Sequence, residues 1–121
     1  MAARLTPEER ALRAITERQW QGTVEKLLTA HGWTWYHASD NRPVTAKSGR
    51  KYTQNVKAGW PDLFAVKGSR LLAVELKREE GKTSPEQDAW LSKLAGAGVE
   101  VHVWKPRDLA EIRVVLAQEI A

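Results

Sequence analysis

Cysteine is absent from the 121 residues of this chain, which excludes disulfides and thiolate-bound metal sites and fits a reducing cytoplasm. Long apolar runs are absent too. No stretch approaches the length of a membrane span and the N-terminus lacks the apolar run of a signal peptide, so no membrane partner is expected. Histidine is scarce. His31 suits a helix C-terminus, and His37 and His102 have no partner at metal-ligand spacing, so zinc is poorly supported. There is no internal repeat and no low-complexity tail. At this length one domain spanning residues 1–121 is expected, large enough to bury a core without staples. The most local absence is of acid: residues 41 to 61 contain neither Asp nor Glu.

What is present is a modest positive excess, formally +4 with a pI near 9.6. That balance permits a nucleic-acid partner without demanding one. The acid-free stretch concentrates it in Arg42, Lys47, Arg50, Lys51 and Lys57. These side chains suit phosphate contacts that position a backbone without reading sequence; the plainer alternative is a solvated loop. Six tryptophans are many for so short a chain. Trp20, Trp33 and Trp90 are expected in the core or at a subunit interface, and Trp35 and Trp104 suit either the interior or a stacking surface. Trp60 and Tyr52 suit stacking on exposed bases.

The order of elements reads α-β-β-β-α-β-α. Thr6-Pro7-Glu8-Glu9 has the cap, the first-turn proline and the capping-box acid of a helix start, and the apolar face of Ile15, Trp20, Val24, Leu27 and Leu28 carries one helix to about Ala30. Residues 33 to 37 read as an aromatic strand, and residues 41 to 61 as a long connection. Ser84-Pro85-Glu86-Gln87 starts a second helix, ending near Gly96 or Gly98. Residues 100 to 104 form a last strand, and a final helix runs from about Asp108. The helix between the third and fourth strands makes a crossover, so those strands are expected to be parallel neighbours in a mixed sheet flanked by helices.

Between those elements lies the segment that carries chemistry. Two apolar runs flank Gly68-Ser69, a pair suited to a tight hairpin turn. Closing it pairs Lys67 with Arg70, Val66 with Leu71 and Phe64 with Ala73, and brings Asp62 opposite Glu75. Like charges so placed are destabilising. Alternation puts Lys77 on the face of Glu75. A divalent cation between the carboxylates resolves the conflict, with the Leu76 carbonyl as a further ligand. Such a seat suits phosphodiester hydrolysis: Asp62 and Glu75 hold the ion, and Lys77 orients or deprotonates the attacking water or neutralises developing charge. The alternative is an exposed hairpin edge with solvated charges. On the first helix, positions 17, 21, 24 and 28 share a face. Val24 and Leu28 turn that face inward, so Glu17 and Gln21 are expected near the same site, against the alternative of a solvated face boundary.

Gly59-Trp60-Pro61-Asp62-Leu63, Val74-Glu75-Leu76-Lys77, Gly81-Lys82-x-Ser84-Pro85-Glu86-Gln87-x-x-Trp90 and Gly98-Val99-Glu100-Val101 together resemble the VRR-NUC family, as does Glu17-x-x-x-Gln21 in the first helix. These are small nucleases of the PD-(D/E)XK superfamily, frequent in phage genomes and related in fold to Holliday-junction resolvases. The resemblance implies an α/β, restriction-endonuclease-like fold, with Asp62, Glu75 and Lys77 as catalytic triad and Gln87 beside it, although Gln87 also stands at a capping-box position. It implies Mg2+ or Mn2+ as cofactor, a homodimer, and the host cytoplasm if the chain is phage-encoded. The function expected is metal-dependent, structure-selective cleavage of DNA, with branched or four-way junctions favoured because nothing resembles a sequence-reading module. The alternative is a non-catalytic nucleic-acid-binding protein on the same fold.

Overall fold

The computed structural model describes residues 4–38 and 58–119 in full and, between them, the backbone of residues 43–45 and 51–53. Helices α1 (Pro7–Ala14) and α2 (Glu17–Ala30) precede strand β1 (Thr34–His37). Two three-residue strands, β2 (Pro43–Thr45) and β3 (Lys51–Thr53), lead to β4 (Leu63–Lys67) and β5 (Arg70–Leu76). Helix α3 (Pro85–Gly96), strand β6 (Glu100–Trp104), a 3-10 turn (Pro106–Asp108) and helix α4 (Leu109–Ala117) complete the described order.

Four strands form one mixed sheet in the order β1-β4-β5-β6, and β2 and β3 form a separate antiparallel pair. The Gly68-Ser69 turn sets the register as expected: Lys67 faces Arg70, Val66 faces Leu71 and Phe64 faces Ala73. Gly68 has a positive φ of 58°, the left-handed conformation that glycine adopts without steric cost. The ladder ends at Leu63 and Val74, so Asp62 stands just outside it. Strands β5 and β6 are parallel, as the α3 crossover requires.

One sheet face is covered by α2 and α4. Trp20, Val24 and Leu28 from α2, with Ile112 and Leu116 from α4, pack on Leu63, Ala65, Leu72, Val74, Leu76 and Trp104. Burying each large side chain contributes about 1.5–3 kcal/mol. Two of the buried indoles in this layer find backbone acceptors: Trp20 Nε1 donates to the Trp104 carbonyl at 3.0 Å and Trp33 Nε1 to the Leu116 carbonyl at 3.1 Å. Helix α3 lies on the other face, against β5 and β6. Arg70, only 6% exposed, ties the sheet to α4. It pairs with Glu100 at 2.7 Å, donates to the Val115 and Gln118 carbonyls at 2.9 Å each, and lies over the Trp33 ring. Burial alone would raise the Glu100 carboxyl, but hydrogen bonds from Arg70 and His102, and their charges, hold it below the usual carboxylate range.

Two boundaries differ from expectation. The first helix is two, because Thr16 and Gln19 form a capping box that starts α2 afresh, with Thr16 Oγ1 accepting from Gln19 N and Gln19 Oε1 from Thr16 N. The connection from 41 to 61 contains the β2–β3 pair, although Arg42, Lys47, Arg50 and Lys57 lie outside the described residues, and for Lys51 and Tyr52 only the strand backbone is described. Among the described residues no helix is long and apolar enough to cross a membrane.

Candidate active site

Strand β5 runs through the middle of the sheet and is buried along almost its whole length, which is why it reads as a nearly continuous apolar run. Glu75 interrupts that run at 1% exposure. A buried carboxylate is costly unless paired and hydrogen-bonded. Glu75 Oε1 accepts from Gln87 Nε2 at 2.9 Å and has Lys77 Nζ at 3.9 Å. Glu75 Oε2 is buried without a partner among the described residues. The carboxyl is accordingly raised from 4.5 to about 9, first by burial, then by the neighbouring Asp62 carboxylate, and less by Glu17; Lys77 opposes the shift.

Asp62 reaches the site from the bend that precedes β4. Its Oδ2 accepts from the Leu76 backbone N–H at 2.9 Å, and its own carbonyl accepts from Ala38 N at 2.7 Å. The bend is pressed onto α3. A Cβ at Gly59, which has φ +82°, would stand 2.4 Å from the Glu86 carbonyl carbon and 2.7 Å from Gln87 N. Trp90 Nε1 donates to the Ala58 carbonyl at 3.1 Å, while the Trp60 ring stacks on Phe64 and meets Trp90 edge-on. Trp60 therefore serves as internal packing that ties Asp62 to α3, on a ring that is half-buried.

Gln87 joins the same helix end to Glu75. Ser84 Oγ accepts from Gln87 N, and Gln87 Oε1 accepts from Ser84 N at 2.8 Å. With its oxygen committed to the cap, the amide must turn its nitrogen toward Glu75. The capping and site readings of Gln87 thus hold together in one rotamer.

On the other side, Lys77 N and Trp20 Nε1 both donate to the Trp104 carbonyl, each at 3.0 Å. This shared acceptor fixes the start of α2, and hence Glu17, against the end of β5. Glu17 and Lys77 line a cleft of about 430 Å3 together with Arg13, Arg78, Glu80 and Lys82. Gln21, one turn along, instead donates to Glu25 at 3.0 Å. Four cleft residues had no signal in the strand–turn–strand pattern: Arg13, Arg78, Glu80 and Lys82. The break at Thr16 was the available clue for Arg13, because it makes α1 a separate helix. Arg78 donates to the carbonyls of Arg13 and Ile15, at 3.0 and 3.3 Å.

A cation fits this donor set. The unpartnered Glu75 oxygen, the adjacent Asp62 carboxylate and the raised Glu75 carboxyl all mark a deficit of positive charge. Among the described residues no group of three or more His, Cys, Asp or Glu side chains forms a metal cage. A carboxylate pair matches Mg2+, which takes one or two carboxylates and completes its shell with water and substrate phosphate.

No curated protein and no solved structure matches the chain. The family model of the VRR-NUC domain matches residues 7–108, a span that takes in α1, the Asp62 bend, the β5 acid and lysine, and the α3 cap. With the mixed four-stranded sheet and its flanking helices in place around that span, the chain belongs to the VRR-NUC family, and with it to a family of nucleases.

Proposed function

We propose that this chain is a metal-dependent DNA endonuclease selective for structure, acting on branched or four-way junction DNA. The observation that carries this reading is Glu75, a buried carboxylate with one oxygen unpartnered among the described residues, set beside Asp62 and Lys77. Asp62, Glu75 and the Leu76 carbonyl would hold Mg2+ or Mn2+, with Glu17 at the cleft available to the hydrated ion. Bound there, the ion supplies Lewis acidity to a phosphoryl oxygen and acidity to its water.

The chain's own groups do the rest. Gln87 holds the Glu75 carboxylate in one orientation through its capped amide. Lys77 stands on the cleft side of Glu75, where it positions the attacking water or offsets the charge that grows on the phosphorus oxygens. The basic stretch from Arg42 to Lys57, with Tyr52, precedes Asp62 in the chain and would supply phosphate contacts. A homodimer would set two such sites for paired cuts, the symmetry that a four-way junction presents.

The test is cleavage of a panel of duplex, forked, flapped and four-way junction DNA with Mn2+, with Mg2+ and with chelator. Metal-dependent cutting that favours branched substrates is expected. Asp62→Ala should abolish it, and Lys77→Ala should lower the rate by about 10^2- to 10^4-fold with the fold intact. Metal-independent binding without cutting, across the whole panel, would instead establish a non-catalytic nucleic-acid-binding protein.

A further inference from the structure

Helix α1 has no buried side chain. An eight-residue helix does not persist on its own intrinsic stability. Its C-cap Ile15 packs against the core, and its polar ties are the Arg78 hydrogen bonds to its C-terminal carbonyls and an Arg13–Glu80 pair at 3.5 Å. What its position does is bring Arg13 into the cleft that Glu17 and Lys77 open.

The cleft continues past Arg13. A second cavity of about 510 Å3 shares Arg13, Glu80 and Lys82 with the first and extends to Lys105 and Arg107. The two form one groove leading away from the Asp62–Glu75 pair. Four acids line it against six basic side chains, Arg13, Lys77, Arg78, Lys82, Lys105 and Arg107: Glu79 holds Arg107 at 3.3 Å and accepts from its backbone N–H at 3.1 Å, Glu80 faces Arg13, and Glu9 and Glu17 enter no ion pair among the described residues. Lys82 enters no ion pair among the described residues. The Arg13–Glu80 pair is exposed on both sides, and such pairs exchange partners at little cost. An arginine offered a phosphate gains a bidentate, charge-assisted contact.

We propose that this groove is a second DNA-binding surface, in which Arg13, Lys82, Lys105 and Arg107 seat the sugar–phosphate backbone as it leads away from the scissile phosphate. Glu80 acts as a built-in competitor that holds Arg13 until DNA arrives. The proposal rests on the nuclease reading and adds to it a binding track that the basic stretch does not include.

The experiment is DNA binding by fluorescence anisotropy, with labelled duplex and four-way junction and Ca2+ in place of the catalytic ion, over a series of salt concentrations. Each lost phosphate contact removes about 0.9 from the slope of log affinity against log salt. The double variant Arg13→Ala/Lys82→Ala should therefore bind roughly tenfold or more weakly with a slope shallower by about 1 to 2. Glu80→Gln, a near-isosteric change, should bind more tightly than wild type, and Arg113→Ala on α4 should match it. Unchanged affinity and slope in the double variant, or weaker binding by Glu80→Gln, would overturn the groove while metal-dependent cutting by the wild type left the nuclease reading standing. A wild type that neither binds nor cuts DNA would remove both.

Discussion

Gly59 carries more of the site's geometry than its lack of a side chain suggests. It lets the chain lie against the backbone of Glu86 and Gln87, so that Asp62 and the α3 cap are set by one contact. Gly59→Ala must accommodate a Cβ against main-chain atoms at a positive φ. Left-handed strain and overpacking together cost roughly 2–5 kcal/mol, and relief requires the bend or the helix end to move. Chemical denaturation should show that loss, and metal-dependent cutting should fall further than stability alone dictates; a variant with wild-type midpoint and rate would mean the bend is free to move. Gly59 was legible as part of a Gly-Trp-Pro-Asp run, but its reason was not. The contact joins residues far apart in sequence, and nothing local in residues 58–62 records what packs against them.

Helix α3 shows an element with two duties on one residue. Gln87→Glu preserves the capping box, since glutamate suits that position, but replaces the donor to Glu75 with a third negative charge. Gln87→Ala removes both. The alanine variant should lose about 1 kcal/mol of stability and about 10- to 100-fold in metal affinity, whereas the glutamate variant keeps the cap and, by adding negative charge, should bind the ion at least as tightly as wild type. Calorimetric metal titration beside thermal melts separates the two, and wild-type metal affinity in Gln87→Ala would reduce Gln87 to a cap. Elsewhere, legibility followed the strength of the local signal. The β4–β5 register was readable because a two-residue turn leaves one pairing. The α1–α2 break was missed although Thr16-x-x-Gln19 spells a capping box, because the apolar spacing through Ile15 and Trp20 continues across it. The β2–β3 pair escaped because three-residue strands, one opening on proline, are too short to show alternation. Arg70 read as an ordinary hairpin residue, yet it is buried on Glu100 and the end of α4. Arg70→Ala leaves Glu100 with His102 alone and strips the Val115 and Gln118 carbonyls of a donor, and should cost about 1–3 kcal/mol, measurable as a lowered denaturation midpoint; a cost below 1 kcal/mol, the value of an exposed pair, would deny it that part.

The two displaced carboxyls give the folded molecule opposite dependences on pH. Glu100 is held below its ordinary value of 4.5, so its contribution is present above that value and lost as pH falls through the folded value. Glu75 is raised from 4.5 to about 9. Across that window the native chain keeps a proton that the unfolded chain has released, so stability falls as pH rises through it; the contribution is complete below 4.5 and gone above 9. Metal-free protein should thus melt at a progressively lower temperature from about pH 5 to about pH 8. An ion held as proposed would bind the deprotonated pair, so Mg2+ or Mn2+ should restore stability most where the proton-linked contribution is weakest, and its binding should release protons. At a free concentration about 100-fold above Kd the ion contributes about 2.7 kcal/mol, which for a chain of this size is roughly 10 °C in Tm. Glu75→Gln removes the titration and the ligand together. It should flatten the metal-free profile between about pH 5 and about pH 8 and abolish the metal-induced rise, because an amide neither ionises there nor replaces a carboxylate toward a hard cation. Thermal melts of both proteins across that range, with ion and with chelator, decide the matter: a rise of the same size in Glu75→Gln would place the ion somewhere other than between Asp62 and Glu75.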